Sequence, residues 1–437
     1  MSTPYNRRRI RVTIIGAGIS GILIAIKLLK HLPSHATFTI YEKSPKPGGT
    51  WFENRYASST EIQNYLESVI RDYKLDQVIQ YNSQVIHAKW DTHRGTWTTQ
   101  VAHETDRTDR ITKTIESEIL INAGGILNNP VMPDIPGLDT FAGPILHTAA
   151  WDDTIDLAGK RVAVIGAGAS AIQLLPAIQN KVSHADVYIR TPSWISPPVA
   201  LPQGVDKGHL YSEEEKEVFR ADLQLYLEMR KGLEDQFNGM FGAFRRDGSE
   251  QTALRARFEG RMKSLIKNEK LQKRLIPTFE VGCRRINPGE EYLLALQEDN
   301  VRPIFDPIRE ILPSGMITKD GEIHEADILI TATGFDTSFR PRFPTIGLDG
   351  VDLQDLWETN PVSYFGIAVS GPLEATSDYI SRLLLKFARQ FAKSFNIHST
   401  VQSDFDAHTK SYMQDTVWTG TCRSWFKNNV TGKVTAL

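Results

Sequence analysis

Two stretches of the chain share one rhythm of apolar and polar positions. In the first, the β-branched run IRVTII at 10–15 enters the turn GAGISG. A helical pattern follows from about Ile19 to His31, then a second apolar run, ATFTIY, at 36–41. In the second, RVAVI at 161–165 enters GAGASA, a helical pattern extends to about Ile178, and ADVYI occupies 185–189. Each reads as strand, glycine turn, helix and strand over roughly thirty residues, the βαβ building block of a parallel sheet. One such sheet offers one crevice at its strand ends, so two units predict two dinucleotide-binding domains.

Between the units, Ser58-Ser59-Thr60-Glu61 predicts a capped helix start, with Ile62, Leu66, Val69, Ile70 and Tyr73 along one face. Strand-like pieces around 83–101 lead to EILINAGG at 118–125. Residues 211–274 are charge-rich at helical spacing and predict a helical insertion in the second unit. Residues 301–334 return to strands and close on ADILITATG; a helix is expected at about 373–394, before an aromatic-rich tail. The expected fold class is α/β with two Rossmann-like domains. The first part of one covers 1–140, the second covers 141–330 with its insertion at about 200–280, and 331–437 returns to the first.

At 437 residues the chain exceeds one ordinary core, and its 41% hydrophobic and 23% charged residues are those of a globular enzyme. A net charge of −2 and a pI near 6.6 leave no basic field for nucleic acid or anionic lipid. The apolar run from Val12 to Leu29 suggests a membrane helix only until its three glycines and Lys27 are counted. The N-terminus has basic residues but no signal-peptide pattern. Cys283 and Cys422 are the only cysteines and lie far apart in sequence. They predict no disulfide framework, no metal site and a reducing compartment, so a cytoplasmic location is expected.

The first turn sets Gly16, Gly18 and Gly21 at the Gly-x-Gly-x-x-Gly spacing. The first permits a tight turn, the second lets backbone approach a pyrophosphate, and the third lets helix pack on strand. Phosphates then meet the free N–H groups and dipole of the helix N-terminus. Glu42 ends the second strand, where an acid takes ribose hydroxyls, and this points to FAD. The second turn carries Gly166, Gly168 and Ala171, and its second strand ends in Arg190. A lone arginine is most often a solvated charge. At this position it can pair with a 2′-phosphate, which points to NADPH.

Between the units, FAGPILHTAAWD at 141–152 resembles the fingerprint of type I Baeyer–Villiger monooxygenases, with Phe141, Gly143, His147 and Trp151 at its fixed places. Heteroatom-hydroxylating flavin monooxygenases look similar but usually lack the tryptophan. Gly48-Gly49-Thr50-Trp51 resembles the family's flavin-contacting turn, and Arg190-Thr191-Pro192-Ser193-Trp194 its NADP-phosphate segment. Ala332-Thr333-Gly334 resembles the return to the FAD domain. Gly282-Cys283-Arg284-Arg285 resembles the loop with a phosphate-binding basic residue and then the active-site arginine. The stretch VWTGTCRSWFKNN at 417–429 is similar to the fungal branch, much of which serves secondary metabolism.

The resemblance implies FAD contacts at Gly49, Thr50, Trp51 and Val85, and NADPH contacts at Ser170, Gln173, Thr191 and Arg284. It implies Arg285 as the catalytic residue, His147 as a linker organiser, and a ketone and O2 as reactants. The expected product is an ester or lactone. Two blocks of the family pattern are absent. Asn54-Arg55-Tyr56 is not followed by the segment whose aspartate partners the active-site arginine, and Ser370-Gly371 runs straight into Pro372 without the stretch that covers the flavin. The family's Trp-Pro-Gly ending is also missing before Leu437.

Overall fold

Ile10–Ile15 (β1) runs into the first glycine turn, Ile19–His31 forms helix α1, and Ala36–Tyr41 (β2) returns parallel to β1. This is a computed structural model, and it describes residues 8–50, 59–104, 110–197, 209–338, 340–359, 370–424, 426–429, 431–432 and 434. Helix α2 spans Ser59–Asp72 and leads to a short strand, Ile79–Gln80 (β3), parallel to β2. The cap expected at Ser58 lies outside the described residues. Ser83–Asp91 (β4), Thr96–Glu104 (β5) and Arg110–Ser117 (β6) then form an antiparallel layer. Ile119–Asn122 (β7) pairs with the free side of β1, giving the parallel order β3-β2-β1-β7. Strand order therefore reverses at β1, which leaves a crevice beyond its carboxyl end.

The second unit repeats this plan. Ile145–His147 (β8) is followed by Arg161–Ile165 (β9), helix α3 at Ala169–Ile178, and His184–Tyr188 (β10). Ile195–Ser196 (β11) precedes the insertion, whose helices are Glu213–Ala221 (α4), Leu223–Gly239 (α5), Ser249–Leu265 (α6) and Glu269–Leu275 (α7). Asn287–Pro288 (β12) pairs with β11, and helix α8 spans Glu290–Ala295. Val301–Ile304 (β13) joins β10; a three-stranded antiparallel piece, Ile308–Leu312 (β14), Gly315–Thr318 (β15) and Ile323–Glu325 (β16), leads to Ile328–Thr331 (β17). The sheet is parallel throughout in the order β13-β10-β9-β17-β8, with its reversal at β9.

Both sheets bury their strands on two faces, so β1 and β9 are almost wholly apolar. Ile10 and Ile14 in β1 and Val164 in β9 are fully buried. Each large aliphatic side chain so buried contributes about 1.5–3 kcal/mol. After β17 the chain adds Thr345–Ile346 (β18) beside β4, helix α9 at Leu353–Thr359 and the long helix α10 at Ser370–Arg389. Leu384, Phe387 and Ala388 of α10 pack into the core of the first sheet. There Lys27 of α1, the charge inside the apolar run, pairs with Glu374 at 3.0 Å and Asp378 at 2.8 Å.

A final helix, Ser399–Met413 (α11), has no counterpart in the sequence reading. Its apolar residues are sparse and mostly exposed; only Thr409 and Met413 are buried, so its periodicity is faint. Beyond it the tail folds over the insertion. Met413, Val417, Trp418, Cys422 and Phe426 form one cluster with Phe244 and Cys283, and the Trp418 ring stacks on Phe244 at 5.5 Å.

Here the structure corrects an expectation: Cys283 and Cys422 are joined in a disulfide across a sequence separation of 139 residues. Distance along the chain carried no information about distance in space, because the tail doubles back. With the pair bonded, cysteine usage no longer argues for a reducing compartment.

Candidate functional site

The two glycine turns share the same backbone hydrogen bonds. Gly16 N–H donates to Tyr41 O at 2.8 Å, and Gly166 N–H to Tyr188 O at 3.1 Å. Ala123 N–H donates to Ile15 O at 2.9 Å, and Ala332 N–H to Ile165 O at 2.8 Å. The first glycine of each turn has positive φ, +96° at Gly16 and +130° at Gly166. A Cβ on either would lie 2.8 Å from Ala123 O or 2.5 Å from Ala332 O. Gly21 stands against Gly16, where a Cβ would come 1.9 Å from the carbonyl oxygen, and Ala171 takes the equivalent place with no exposed surface.

The second glycines differ in kind. A Cβ on Gly168 meets no atom within 4 Å, and one on Gly18 meets only Gly49 Cα at 3.8 Å. Both residues cap their helices without a side-chain hydrogen bond, and neither helix has an acid in its first turn. Two helix N-termini thus open onto space that no described residue fills at either second glycine, the arrangement that accepts a pyrophosphate. The dinucleotides fit these cradles.

Around the first cradle, Glu42 is 3% exposed. Its carboxylate accepts the N–H of Ala17 at 2.7 Å and that of Ser44 at 2.9 Å, so it braces the turn and retains lone pairs for a ribose. Gly48 N–H donates to Ala17 O at 3.0 Å, which sets Gly49 against Gly18, and Thr50 Oγ1 contacts Leu127 O at 3.5 Å. Val85 is buried against Ile15 and Val101, so any cofactor contact would come from its backbone. Trp51 and the Asn54-Arg55-Tyr56 triplet lie outside the described residues.

In the second cradle, Ser193 Oγ donates to Ala167 O at 2.8 Å, playing the part of Gly48 in the first. Ser170 is half-buried in the first turn of α3. Gln173 is exposed and donates to Ala169 O at 3.0 Å, and Thr191 is half-buried beyond Arg190. Arg190 is exposed at the end of the second strand. Pairing of β11 with β12 and the Trp194 Nε1 bond to Phe279 O at 2.9 Å draw the 279–288 loop to this strand end. That loop carries Arg284 and Arg285. Burial, then Arg190, then Arg423 push the Arg284 guanidinium below its ordinary value. Arg285 is exposed, and Asn287 Nδ2 donates to its carbonyl at 3.0 Å. Among the described residues no carboxylate forms an ion pair with Arg190, Arg284, Arg285 or Arg423.

Two crossings link the units side by side. Val131 N–H donates to Gly334 O at 3.0 Å and Asp336 N–H to Asn129 O at 2.9 Å. His147 sits at their base, 6% exposed, its Nδ1 accepting Ala149 N–H at 3.0 Å and its ring edge-on to Phe335 at 6.2 Å. Burial lowers its pKa, opposed by the backbone of Gly334. Trp151 packs on the second core. Of the fingerprint residues, His147 therefore lies at the junction, while Phe141 and Trp151 pack within the second unit.

No helix among the described residues is long and apolar enough to cross a membrane. Arg423 and the disulfide escaped the sequence reading. Both lie in segments it quoted, but only their pairing in space marks them.

Comparison with known proteins agrees with this architecture. Residues 52–276 match the flavin-binding monooxygenase-like family, and 14–80 match an NAD(P)-binding Rossmann-like domain. The FAD-binding monooxygenase stcW of Emericella nidulans is 36% identical over 99% of this chain and 80% of its own. A Baeyer–Villiger monooxygenase of Pseudomonas aeruginosa is 28% identical over 99% and 88%. Cyclohexanone monooxygenase from Rhodococcus sp. Phi1 bound to NADP+ superposes with a TM-score of 0.82 at 24% identity, over 99% of this chain and 94% of that one. OTEMO in complex with FAD and NADP gives 0.81 at 21%, over 99% and 95%. The stcW match runs over 483 aligned positions against a chain of 437 residues, so the relative has positions opposite which this chain has none.

Proposed function

The chain belongs to the flavin-binding monooxygenase-like family, and on that footing we propose that it inserts one atom of O2 beside a ketone carbonyl, giving an ester or lactone. The observation that carries the reading is a duplicated cradle with opposite charge at its two ends. A buried carboxylate, Glu42, closes one, and the guanidinium groups of Arg190 and Arg284, which have no carboxylate partner among the described residues, close the other. FAD belongs in the first, where Glu42 meets ribose hydroxyls, and NADPH in the second, where the guanidinium groups meet a 2′-phosphate. The cofactors supply hydride transfer and activation of O2 when bound.

This chain's residues supply the rest. Gly18 and Gly168 leave room for the pyrophosphates, and the N-termini of α1 and α3 donate to them. Thr50, Ser170, Gln173 and Thr191 flank the two crevices. Arg285, exposed and free of carboxylate partners among the described residues, is suited to stabilise negative charge on oxygen as the carbonyl is attacked. His147 holds the junction that sets one cradle against the other, and Trp151 supports it from the second core. The domain limits we propose are 1–140 with 331–437 for the first unit and 141–330 with the insertion for the second. A role in secondary metabolism rests on the likeness of the 417–429 stretch to the fungal branch.

Purified protein tests this directly. The expected result is flavin absorbance, NADPH consumption that rises with a ketone, and one oxygen atom from labelled O2 in an ester product. Oxidation of a sulfide with no ester would move the chain to the heteroatom-hydroxylating class. Colourless protein that cannot be loaded with FAD would remove the enzymatic reading.

A further inference from the structure

We propose that Arg423, carried by the tail and fastened by the Cys283–Cys422 disulfide, is a third guanidinium of the 2′-phosphate site and so helps select NADPH over NADH. This rests on the reading of Arg190 and Arg284 as the 2′-phosphate side of the second cradle.

The geometry has three parts. Arg284 Nε donates to the backbone carbonyl of Arg423 at 2.7 Å, so the two residues are held in register. Each lies next to a bonded cysteine, 283 and 422, with Cα atoms 6.3 Å apart, which pins both backbones at one place. Arg284 also lies over the Phe279 ring, 5.6 Å from its centroid, and Phe279 is bonded through its carbonyl to Trp194, four residues beyond Arg190. Three segments, each carrying an arginine, therefore meet beyond one strand end, and the charges of Arg190 and Arg423 both act on Arg284.

Such a cluster is costly on its own, because like charges repel and no carboxylate pairs with these residues among those described. The nearness of Arg190 and Arg423 is felt at Arg284, whose pKa burial has already lowered. A dianionic phosphate offsets both costs, since guanidinium groups donate to phosphate oxygens in paired, charge-assisted bonds. The rest of the tail fits a fixed support. Trp418 stacks on Phe244, Arg246 N–H donates to Asp415 O at 2.8 Å, and Cys422 is buried beside them. The exposed Arg423 side chain stands on that platform.

Adenosine 2′,5′-bisphosphate and 5′-AMP differ by the phosphate in question, and calorimetric titration reads both without turnover. Arg423→Ala is expected to weaken the bisphosphate about tenfold, the scale of one charge-assisted hydrogen bond, and to leave AMP unchanged. Arg190→Ala should do the same. Loss in Arg190→Ala with wild-type affinity in Arg423→Ala would overturn this proposal and keep the cradle assignment. Wild-type preference in both variants would overturn the assignment as well.

The tether has its own arm. Cys422→Ser, or reduction by a dithiol, should weaken the bisphosphate as Arg423→Ala does. In that reduction two electrons and two protons pass to the bridge, leaving two thiols, while the dithiol closes to its own disulfide. Unchanged bisphosphate affinity after either treatment would overturn the tether. In turnover, Arg423→Ala should raise KM for NADPH, leave kcat near wild type, and barely alter NADH.

Discussion

Glu42 braces the turn it faces: its carboxylate takes the Ala17 N–H at 2.7 Å from inside the protein. Removing it leaves two buried donors, Ala17 and Ser44, without their partner. Glu42→Ala should therefore cost about 1–3 kcal/mol of stability for each stranded N–H, and release flavin as well. Glu42→Gln keeps one acceptor and should fall between. Denaturant midpoints together with flavin absorbance after gel filtration check this; a variant that holds flavin at unchanged stability would defeat it.

The first and second glycines should fail differently. Gly16→Val places a branched side chain at φ +96° and against Ala123 O, so both folding and flavin retention should suffer. Gly168→Ala adds a methyl group in open space at a φ of −89°. Its stability should stay within about 0.5 kcal/mol of wild type while NADPH affinity falls. Wild-type NADPH affinity in Gly168→Ala would mean that the pyrophosphate does not lie over that turn.

His147 should make stability fall in mild acid. Burial keeps its folded pKa below the ordinary value of about 6.5. Below that pH the unfolded chain takes up a proton that the folded chain refuses. The contribution is therefore complete above about pH 6.5 and is lost as pH falls toward the folded value. His147→Gln should flatten the slope of unfolding free energy between pH 7.5 and 5.5. An unaltered slope would assign the acid sensitivity elsewhere.

The disulfide should also be felt in stability. It closes a loop of 139 residues, so its removal by Cys283→Ser is expected to cost about 2–5 kcal/mol. Midpoints with and without reductant measure this. A wild-type chain indifferent to reductant would show that the bridge adds nothing to folding.

Much of the fold was legible because both units are periodic and their glycines are forced. The strand at 10–15 and the helix at Ile19–His31 follow from apolar spacing, and Gly16 and Gly166 from backbone geometry that other residues resist. The place of Glu42 beside the first turn was readable from its position at a strand end. Helix α11 was not, since its few apolar residues stay mostly exposed and leave no stripe. The disulfide and the approach of Arg423 to Arg284 depend on a tail that folds back over the insertion. No local pattern encodes that path. Val85 was named from the resemblance alone, and its side chain belongs to a core.

The ion pairs from Lys27 to Glu374 and Asp378 join α1 to α10, with Lys27 and Glu374 lying 347 residues apart in sequence. A ribosome adding about 5–20 residues per second needs roughly 20 to 70 s to deliver α10 after α1 has emerged. Through that interval the apolar face of the first sheet that α10 covers has no partner, while the second sheet is made in one uninterrupted stretch. The flavin half is thus the slow half to assemble, with contacts of long range to form, and its waiting surface is where a chaperone or aggregation would act.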